Sequence, residues 1–289
     1  MTAVPTAPTS ASRADAVSLD ATLAALADQL TGIRRLGVAF SGGVDSSVLL
    51  ALAVRLLGSQ QVVALLGVSP SLAREEREAA HQVAGELGVP VLEVQTFEGD
   101  RPEYQANGPD RCFHCKDELF SRIDDEVVAA QRLDGVAYGE NADDARRPDR
   151  PGSQAATSHR VLRPLATLGL TKADVRALAR ALQLSVADKP AAPCLASRIP
   201  HHQTVTPAKL RQIDQAEAAL RALGLTDLRV RHHGEVARVE LPADDLPRVV
   251  AEPLRTQLLT AVRSAGFRFV TVDLAGIQSG AFTLPLVTR

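Results

Sequence analysis

Tryptophan is absent from this 289-residue chain, and aromatic residues make up only 3% of it. Proteins that hold single-stranded nucleic acid lean on stacking platforms, so this scarcity weighs against that class. Charge of one sign is lacking too. The 32 Lys and Arg nearly balance the 34 Asp and Glu, for a formal net charge of −2, and no nucleic-acid partner is expected. No apolar run approaches about eighteen residues, which excludes a membrane-spanning helix. Three cysteines, an odd and small number, do not make a disulfide framework. The N-terminus is rich in Thr, Ala, Pro and Ser and has no apolar core, so it is no secretion signal. Residues 1–17 are expected to be disordered and the protein cytoplasmic. There is no G-x-x-x-x-G-K-[ST] loop, which argues against a kinase or GTPase. What remains, 45% apolar and 23% charged residues, is ordinary for a globular protein with room for one large or two modest domains.

What is present is concentrated in a few segments. Ser41-Gly42-Gly43-Val44-Asp45-Ser46-Ser47 follows the apolar run Leu36–Phe40 and precedes Val48-Leu49-Leu50-Ala51-Leu52. A strand, a glycine-hydroxyl turn and a helix start make a cradle for phosphate. Glycines let the backbone approach an anion, and the first helical N–H groups lack partners. Ser41, Ser46 and Ser47 add hydroxyl donors. Asp45 repels phosphate, so its natural tasks are shaping the loop or meeting the Mg²⁺ that accompanies a nucleotide. The loop resembles the PP-loop of ATP pyrophosphatases, which implies cleavage of ATP to AMP and pyrophosphate. An ordinary joint with serine caps is the bland alternative.

Around this loop the chain alternates strands and helices. Strands are expected at 36–40, 61–68, 89–94 and 135–139. Helices are expected before the first strand, at Leu72–Leu87, near Lys116–Gln131 and at Val175–Leu182. Alternation predicts an α/β fold, a doubly wound parallel sheet with ligands beyond the carboxyl ends of its strands. After Pro200 the rhythm changes. Thr206-Pro207 starts a helix, residues 228–232 and 235–241 alternate as a hairpin around His233-Gly234, and a helix near Leu246–Ser264 and a strand at 267–273 follow. The expected division is 18–200, a PP-loop ATP pyrophosphatase domain, and 201–289, a smaller C-terminal α+β domain for substrate and oligomerisation.

The remaining chemistry lies in side-chain clusters. Cys194 sits in Asp188-Lys189-Pro190-Ala191-Ala192-Pro193-Cys194-Leu195-Ala196-Ser197-Arg198, where two prolines forbid regular helix. Lys189 and Arg198 flank it and would favour the thiolate, although a buried inert cysteine would also fit. Arg111-Cys112-Phe113-His114-Cys115-Lys116 places a C-x-x-C just before a helix. The pair suits a redox dithiol, half of a zinc site or part of an iron–sulfur site. A zinc site would need Cys112, Cys115, Cys194 and a fourth group, such as His114, His201 or His202. Three cysteines alone suit a [4Fe–4S] cluster with one open iron. Glu140, Asn141, Asp143 and Asp144 follow a strand and could hold Mg²⁺ or orient substrate, or form a solvated acidic loop. Glu217, taken alone, reads as a surface charge. Arg229 and Arg231 share one strand face and could grip a phosphate or carboxylate. His232-His233 reads as hairpin decoration.

Taken together these segments, with Leu165–Lys172, Arg229–Gly234 and Asp273–Gly280, resemble the LarE family over about residues 19–284. These are ATP-dependent sulfur transferases of nickel-pincer nucleotide biosynthesis. The resemblance implies that ATP adenylates a carboxylate of pyridinium-3,5-biscarboxylate mononucleotide and that sulfur then displaces AMP to leave a thiocarboxylate. By that resemblance Asp45, Cys194 and Glu217 are catalytic, and Ser41, Gly42, Gly43, Asp45, Ser46 and Ser47 bind ATP with Mg²⁺. Ser197, Arg198, Arg229 and Arg231 bind the nucleotide substrate, with Glu217 lining the same cavity. Cys112, Cys115 and Cys194 match the members that use a three-cysteine [4Fe–4S] cluster. Other members sacrifice the sulfur of a cysteine at the position of Cys194. The resemblance also implies a homo-oligomer and a functional link to the other proteins of nickel-pincer cofactor biosynthesis. Competing readings are an ammonia-using synthetase, which leaves the cysteines unexplained, a tRNA-thiolating enzyme, which the charge disfavours, and a nucleotide-binding module without turnover.

Overall fold

A computed structural model of the protein describes residues 17–146 and 152–277. The expected disordered N-terminus, apart from Val17, and the end of the tail motif, Gln278-Ser279-Gly280, lie outside the described residues.

Four parallel strands, β1 (Leu36–Ala39), β2 (Val62–Val68), β3 (Val91–Gln95) and β4 (Gly135–Tyr138), lie in the order β3-β2-β1-β4. The chain starts at β1, steps outward twice and returns to β1's other side. The strand order therefore reverses at β1, where an α/β sheet opens a crevice beyond its carboxyl ends. The phosphate loop leaves β1 at that point.

Side-chain alternation builds a core on each face of the sheet. Val62, Ala64 and Leu66 of β2 join Leu36, Val38 and Ala137 on one face. Val63 and Leu65 join Val136 and Tyr138 on the other. Helix Val44–Leu57, apolar on nearly every side, runs through the first core with Val48, Leu49, Leu50 and Leu52 fully buried. Each such leucine contributes about 1.5–3 kcal/mol by leaving water.

Four expectations change in detail. The helix expected near Lys116–Gln131 begins at Arg111, because no breaker separates 111 from 131. It passes from Arg111–Arg122 through a π-turn at Ile123–Val127 into Val128–Gln131. The C-x-x-C thus lies in its first turn, not ahead of it. The helix expected over 246–264 is two pieces, Leu246–Val249 and Leu254–Ser264, since Pro253 has no N–H to continue the first. The hairpin turn falls one residue later than expected, on Gly234-Glu235, with Gly234 at φ 67°. Short helices at Gly152–Ser158 and Pro164–Thr167 carry too little periodicity to be read from sequence.

Beyond residue 206, β5 (Arg229–His233), β6 (Val236–Glu240) and β7 (Phe269–Val272) form a second sheet in that order. Its first pair is antiparallel and its second parallel. Helix Pro207–Ala222 starts on the Thr206 cap and packs Ala216 and Leu220 against Val230, Val239 and Val262. A smaller apolar cluster, including Tyr104, Leu195, Ile199, Leu210 and Ile213, joins this helix to the Cys194 segment.

Candidate functional site

The phosphate loop has the shape its residues require. Gly42 takes φ +68°, and a Cβ there would lie 2.8 Å from Ala80 Cα. Gly139, just past β4, would drive a Cβ to 2.7 Å from Ser46 N. Only glycine fits either place. The Ser46 hydroxyl donates to Gly43 O at 3.1 Å and lies 3.3 Å from Ser41 Oγ, so two of the three expected donors are ordered at the turn. Ser47 departs from that picture: it is fully buried beneath the loop, and its Oγ has no hydrogen-bond partner.

Asp45 is held from two distant segments. Lys172 Nζ donates to Asp45 Oδ2 at 2.5 Å and Asn141 Nδ2 to Oδ1 at 2.9 Å. Lys172 opens helix Lys172–Ala181, which the Thr171–Asp174 capping box starts. Asp143 accepts from the Lys172 amide at 2.8 Å, and Asn141 accepts from Asp144 N–H at 2.9 Å. The acidic segment is therefore a brace for the loop, not a solvated run. Glu140 is 4% exposed and pairs with Ser153 and, at 3.7 Å, with Arg163. A carboxylate offers about four lone-pair sites, so Asp45 retains capacity for Mg²⁺ beside its two donors.

The Cys194 loop is gathered by arginines. Arg176 donates to the Ala187 and Lys189 carbonyls at 2.6 and 3.1 Å. Arg198, 5% exposed, reaches Cys194 O at 3.3 Å, Ser197 Oγ at 3.2 Å and the Pro193 carbonyl. Arg231 donates to Ser197 O at 2.9 Å, and Arg229 to Ala191 O at 3.5 Å. Three buried guanidiniums thus converge on one loop. Burial, followed by the charges of Arg231 and Arg198, lowers the pKa of Arg229. A bound anion would relieve that repulsion.

Two carboxylates hold Arg198 and Arg231. Glu217 is completely buried, contrary to its reading as a surface charge. It accepts from Arg198 Nε at 2.9 Å and Nη2 at 3.1 Å, from Arg221 Nη2 at 3.2 Å and from Val230 N–H at 3.0 Å. Glu240, unnoticed in the sequence, takes both Arg231 Nε at 2.9 Å and Nη2 at 2.8 Å. Its only signal was a place opposite Arg229 in the hairpin register. His232 is no decoration. It is 3% exposed, 3.1 Å from Gln212 Oε1 and edge-on to Phe267.

The cysteines meet an unforeseen cation. Lys189 is engaged by Glu76 at 2.7 Å and Arg198 by Glu217, so both flanking cations already have counter-ions. Arg111 stands beside the thiols as well, and the Cys194 sulfur favours the charge of both Arg111 and Arg198. Arg111 is 7% exposed, bonds Asn107 Oδ1 at 2.5 Å and donates to Ala196 O at 2.9 Å. Against the effect of burial, the sulfurs of Cys194 and Cys112 favour its charge. Burial first, then Glu98 and the other two cysteines, pushes the Cys115 thiol up. Cys112 and Cys194 are exposed and Cys115 half-buried. Of the imidazoles weighed as a fourth ligand, His114 faces Asp110 at 3.2 Å and His201 the Asn107 carbonyl at 3.0 Å. Among the described residues no group of three or more His, Cys, Asp or Glu side chains is arranged to hold a metal ion.

Residues 19–106 match the Asparagine synthase family. The chain is 41% identical over 243 residues to an uncharacterized protein of Synechocystis, covering 84% of this chain and 90% of that one. It is 25% identical over 243 residues to an uncharacterized protein of Methanocaldococcus jannaschii, covering 83% and 90%. It is also 34% identical over 260 residues to pyridinium-3,5-bisthiocarboxylic acid mononucleotide synthase of Lactiplantibacillus plantarum, covering 89% of this chain and 92% of that enzyme. Identity at that level along nearly the whole of both chains, with the ATP loop inside the segment matching asparagine synthase, makes this protein an ATP-using enzyme of the LarE family.

Proposed function

We propose that the protein is an ATP-dependent sulfur transferase acting on pyridinium-3,5-biscarboxylate mononucleotide. A substrate carboxylate oxygen attacks the α-phosphorus of ATP, and pyrophosphate leaves as its bond to that phosphorus breaks. Sulfide then attacks the acyl carbon, and AMP leaves with the carboxylate oxygen that had joined it to the acyl group. The convergence of Arg198, Arg229 and Arg231 on the Cys194 loop carries this reading. On this reading the three guanidiniums form an anion-binding wall on the segment that bears the sulfur.

The roles follow from position. Ser41, Gly42, Gly43 and Ser46 cradle the phosphates of ATP, with Ser47 supporting them from below. Asp45, oriented by Lys172 and Asn141, meets Mg²⁺. Arg229, Arg231, Ser197 and Arg198 take the substrate phosphate and carboxylate, while Glu217 fixes Arg198. The division at about residue 200 into an ATP domain and a substrate and oligomerisation domain agrees with an apolar core built entirely beyond residue 215. A homo-oligomer and a link to the other proteins that build the nickel-pincer cofactor belong to the same reading. Among the described residues, no helix is long and apolar enough to cross a membrane.

For the sulfur source we favour a [4Fe–4S] cluster held by Cys112, Cys115 and Cys194. Its support is the donor set, three thiols on two segments that Arg111 ties together through the Ala196 carbonyl; the side chains as they stand are not gathered around an ion. Held there, such a cluster would supply an open iron able to hold exogenous hydrosulfide. Cys194 as a sacrificial donor is the second reading, favoured by its exposure on an irregular loop.

Pyrophosphate release measured with and without the biscarboxylate nucleotide tests the first half. Release that ignores the nucleotide refutes the assignment. Iron and acid-labile sulfide in anaerobically reconstituted wild type, and their loss in Cys194→Ala, test the cluster. Absence of both from wild type refutes it, and a product lighter by about one H₂S at Cys194 would establish the sacrificial route.

A further inference from the structure

A buried polar chain runs beneath the Cys194 loop and is unused by the reaction outlined above. Tyr104, on the short helix Pro102–Gln105, is 1% exposed, and its hydroxyl is hydrogen-bonded to Ser71 Oγ. The Ser71 carbonyl accepts the Leu195 N–H, next to Cys194, at 2.9 Å. The Ser71 amide donates to Ser69 Oγ at 3.2 Å, and the Ser69 hydroxyl donates to Glu98 Oε1 at 2.5 Å. Glu98 is itself 1% exposed, and its second oxygen has no hydrogen-bond partner.

Packing alone does not call for this arrangement. The Tyr104 ring lies in the apolar cluster with Leu195, Ala196 and Ile199, with Cys115 against it. Phenylalanine would fill that place without burying a hydroxyl, which costs free energy unless paired. The hydroxyl is paired, and its partner belongs to the residue that clamps the backbone beside Cys194. The ATP loop is braced separately, through Lys172 and Asn141 on Asp45.

We propose that Tyr104 and Ser71 are a positioning pair for the Cys194 loop, required for sulfur transfer and not for adenylation. The inference rests on the reaction proposed above. The tyrosine hydroxyl fixes Ser71, the Ser71 carbonyl fixes Leu195, and the direction of the Cys194 side chain follows. Loss of either side-chain group lets the sulfur wander from the acyl carbon while ATP and carboxylate still meet.

The test uses full-length, anaerobically reconstituted Tyr104→Phe, Ser71→Ala and the double variant. Pyrophosphate release and thiocarboxylate formation are followed separately, with ATP, the biscarboxylate nucleotide and added hydrosulfide. Each single variant should release pyrophosphate within about twofold of wild type. Thiocarboxylate formation should fall by about ten- to a hundredfold, the scale of a misplacement near 1 Å. The double variant should be no slower than the slower single one, because the pair acts as a unit. Unchanged thiocarboxylate formation, equal loss of both half-reactions, or losses that multiply in the double variant would each overturn the pairing. Wild type that releases no pyrophosphate with the nucleotide would instead overturn the proposed reaction, and the inference with it.

Discussion

Replacing Glu217 with alanine strikes the contact between helix Pro207–Ala222 and the Cys194 loop. Glu217 is 0% exposed and Arg198 5% exposed, so bulk water cannot substitute for the lost carboxylate. Two Arg198 hydrogen bonds, at 2.9 and 3.1 Å, and the Val230 amide bond at 3.0 Å disappear together. Removing one partner of a buried ion pair costs about 3–5 kcal/mol. The orphaned amide adds about 1–3 kcal/mol. Arg221 contributes little, because its side chain is 24% exposed and also pairs with Glu75. Such contributions do not add fully, so a loss of about 4–6 kcal/mol is expected, a large share of an ordinary folding free energy. Urea denaturation followed by circular dichroism measures it. Glu217→Gln keeps an acceptor for Val230 and should lose less. The double variant Arg198→Met/Glu217→Met removes both charges and should also lose less than Glu217→Ala. A loss below about 1 kcal/mol for Glu217→Ala would refute the buried counter-ion argument, as would a double variant less stable than it.

Asp45→Asn should abolish pyrophosphate release, and Lys172→Met should slow it by about a hundredfold, on the scale of a lost electrostatic contact at a reacting group. Full activity in either would remove Asp45 from the ATP site. Gly42→Ala should eliminate ATP binding by calorimetry, since the new methyl meets Ala80 backbone at 2.8 Å in a left-handed conformation. Binding at wild-type affinity would show that the loop is not held as described. Burial lowers the pKa of His159, but the hydrogen bonds its ring donates to Asp124 at 2.7 Å and Asp117 at 3.1 Å outweigh that and raise the pKa overall. A raised folded pKa means stabilisation that is complete below the unfolded value of about 6.5 and lost as pH rises through the folded value. The melting-temperature gap between wild type and His159→Gln should therefore be wide at pH 5.5 and narrow at pH 9. An equal gap at both would refute it.

Much of this architecture is written in short-range signals. Leu36–Phe40, the Ser41–Ser47 turn and the apolar helix after it are contiguous. Strand period, glycine freedom and helix-start chemistry therefore all act within about twenty residues. Thr171 with Asp174, and Thr206 with Pro207, announce helix starts in the same local way, and the structure has both. Where the elements differ from expectation, the cause is again local. Pro253 splits the helix expected over 246–264, and the absence of a breaker after Asp110 draws the C-x-x-C into a helix.

Side-chain partnerships were not legible, because they depend on how distant segments close on one another. Asp45 meets Lys172 across 127 positions, and Arg111 reaches the Ala196 carbonyl across 85. Glu217 sits on a helix whose sequence suits a solvated face, and it is buried only because the Cys194 loop and β5 close over it. Residue types and their local order thus determined an ATP loop at the end of β1 and a cysteine on a proline-rich loop. Only tertiary packing decided which charge answers which, since burial and the loss of competing water select among many chemically possible pairs.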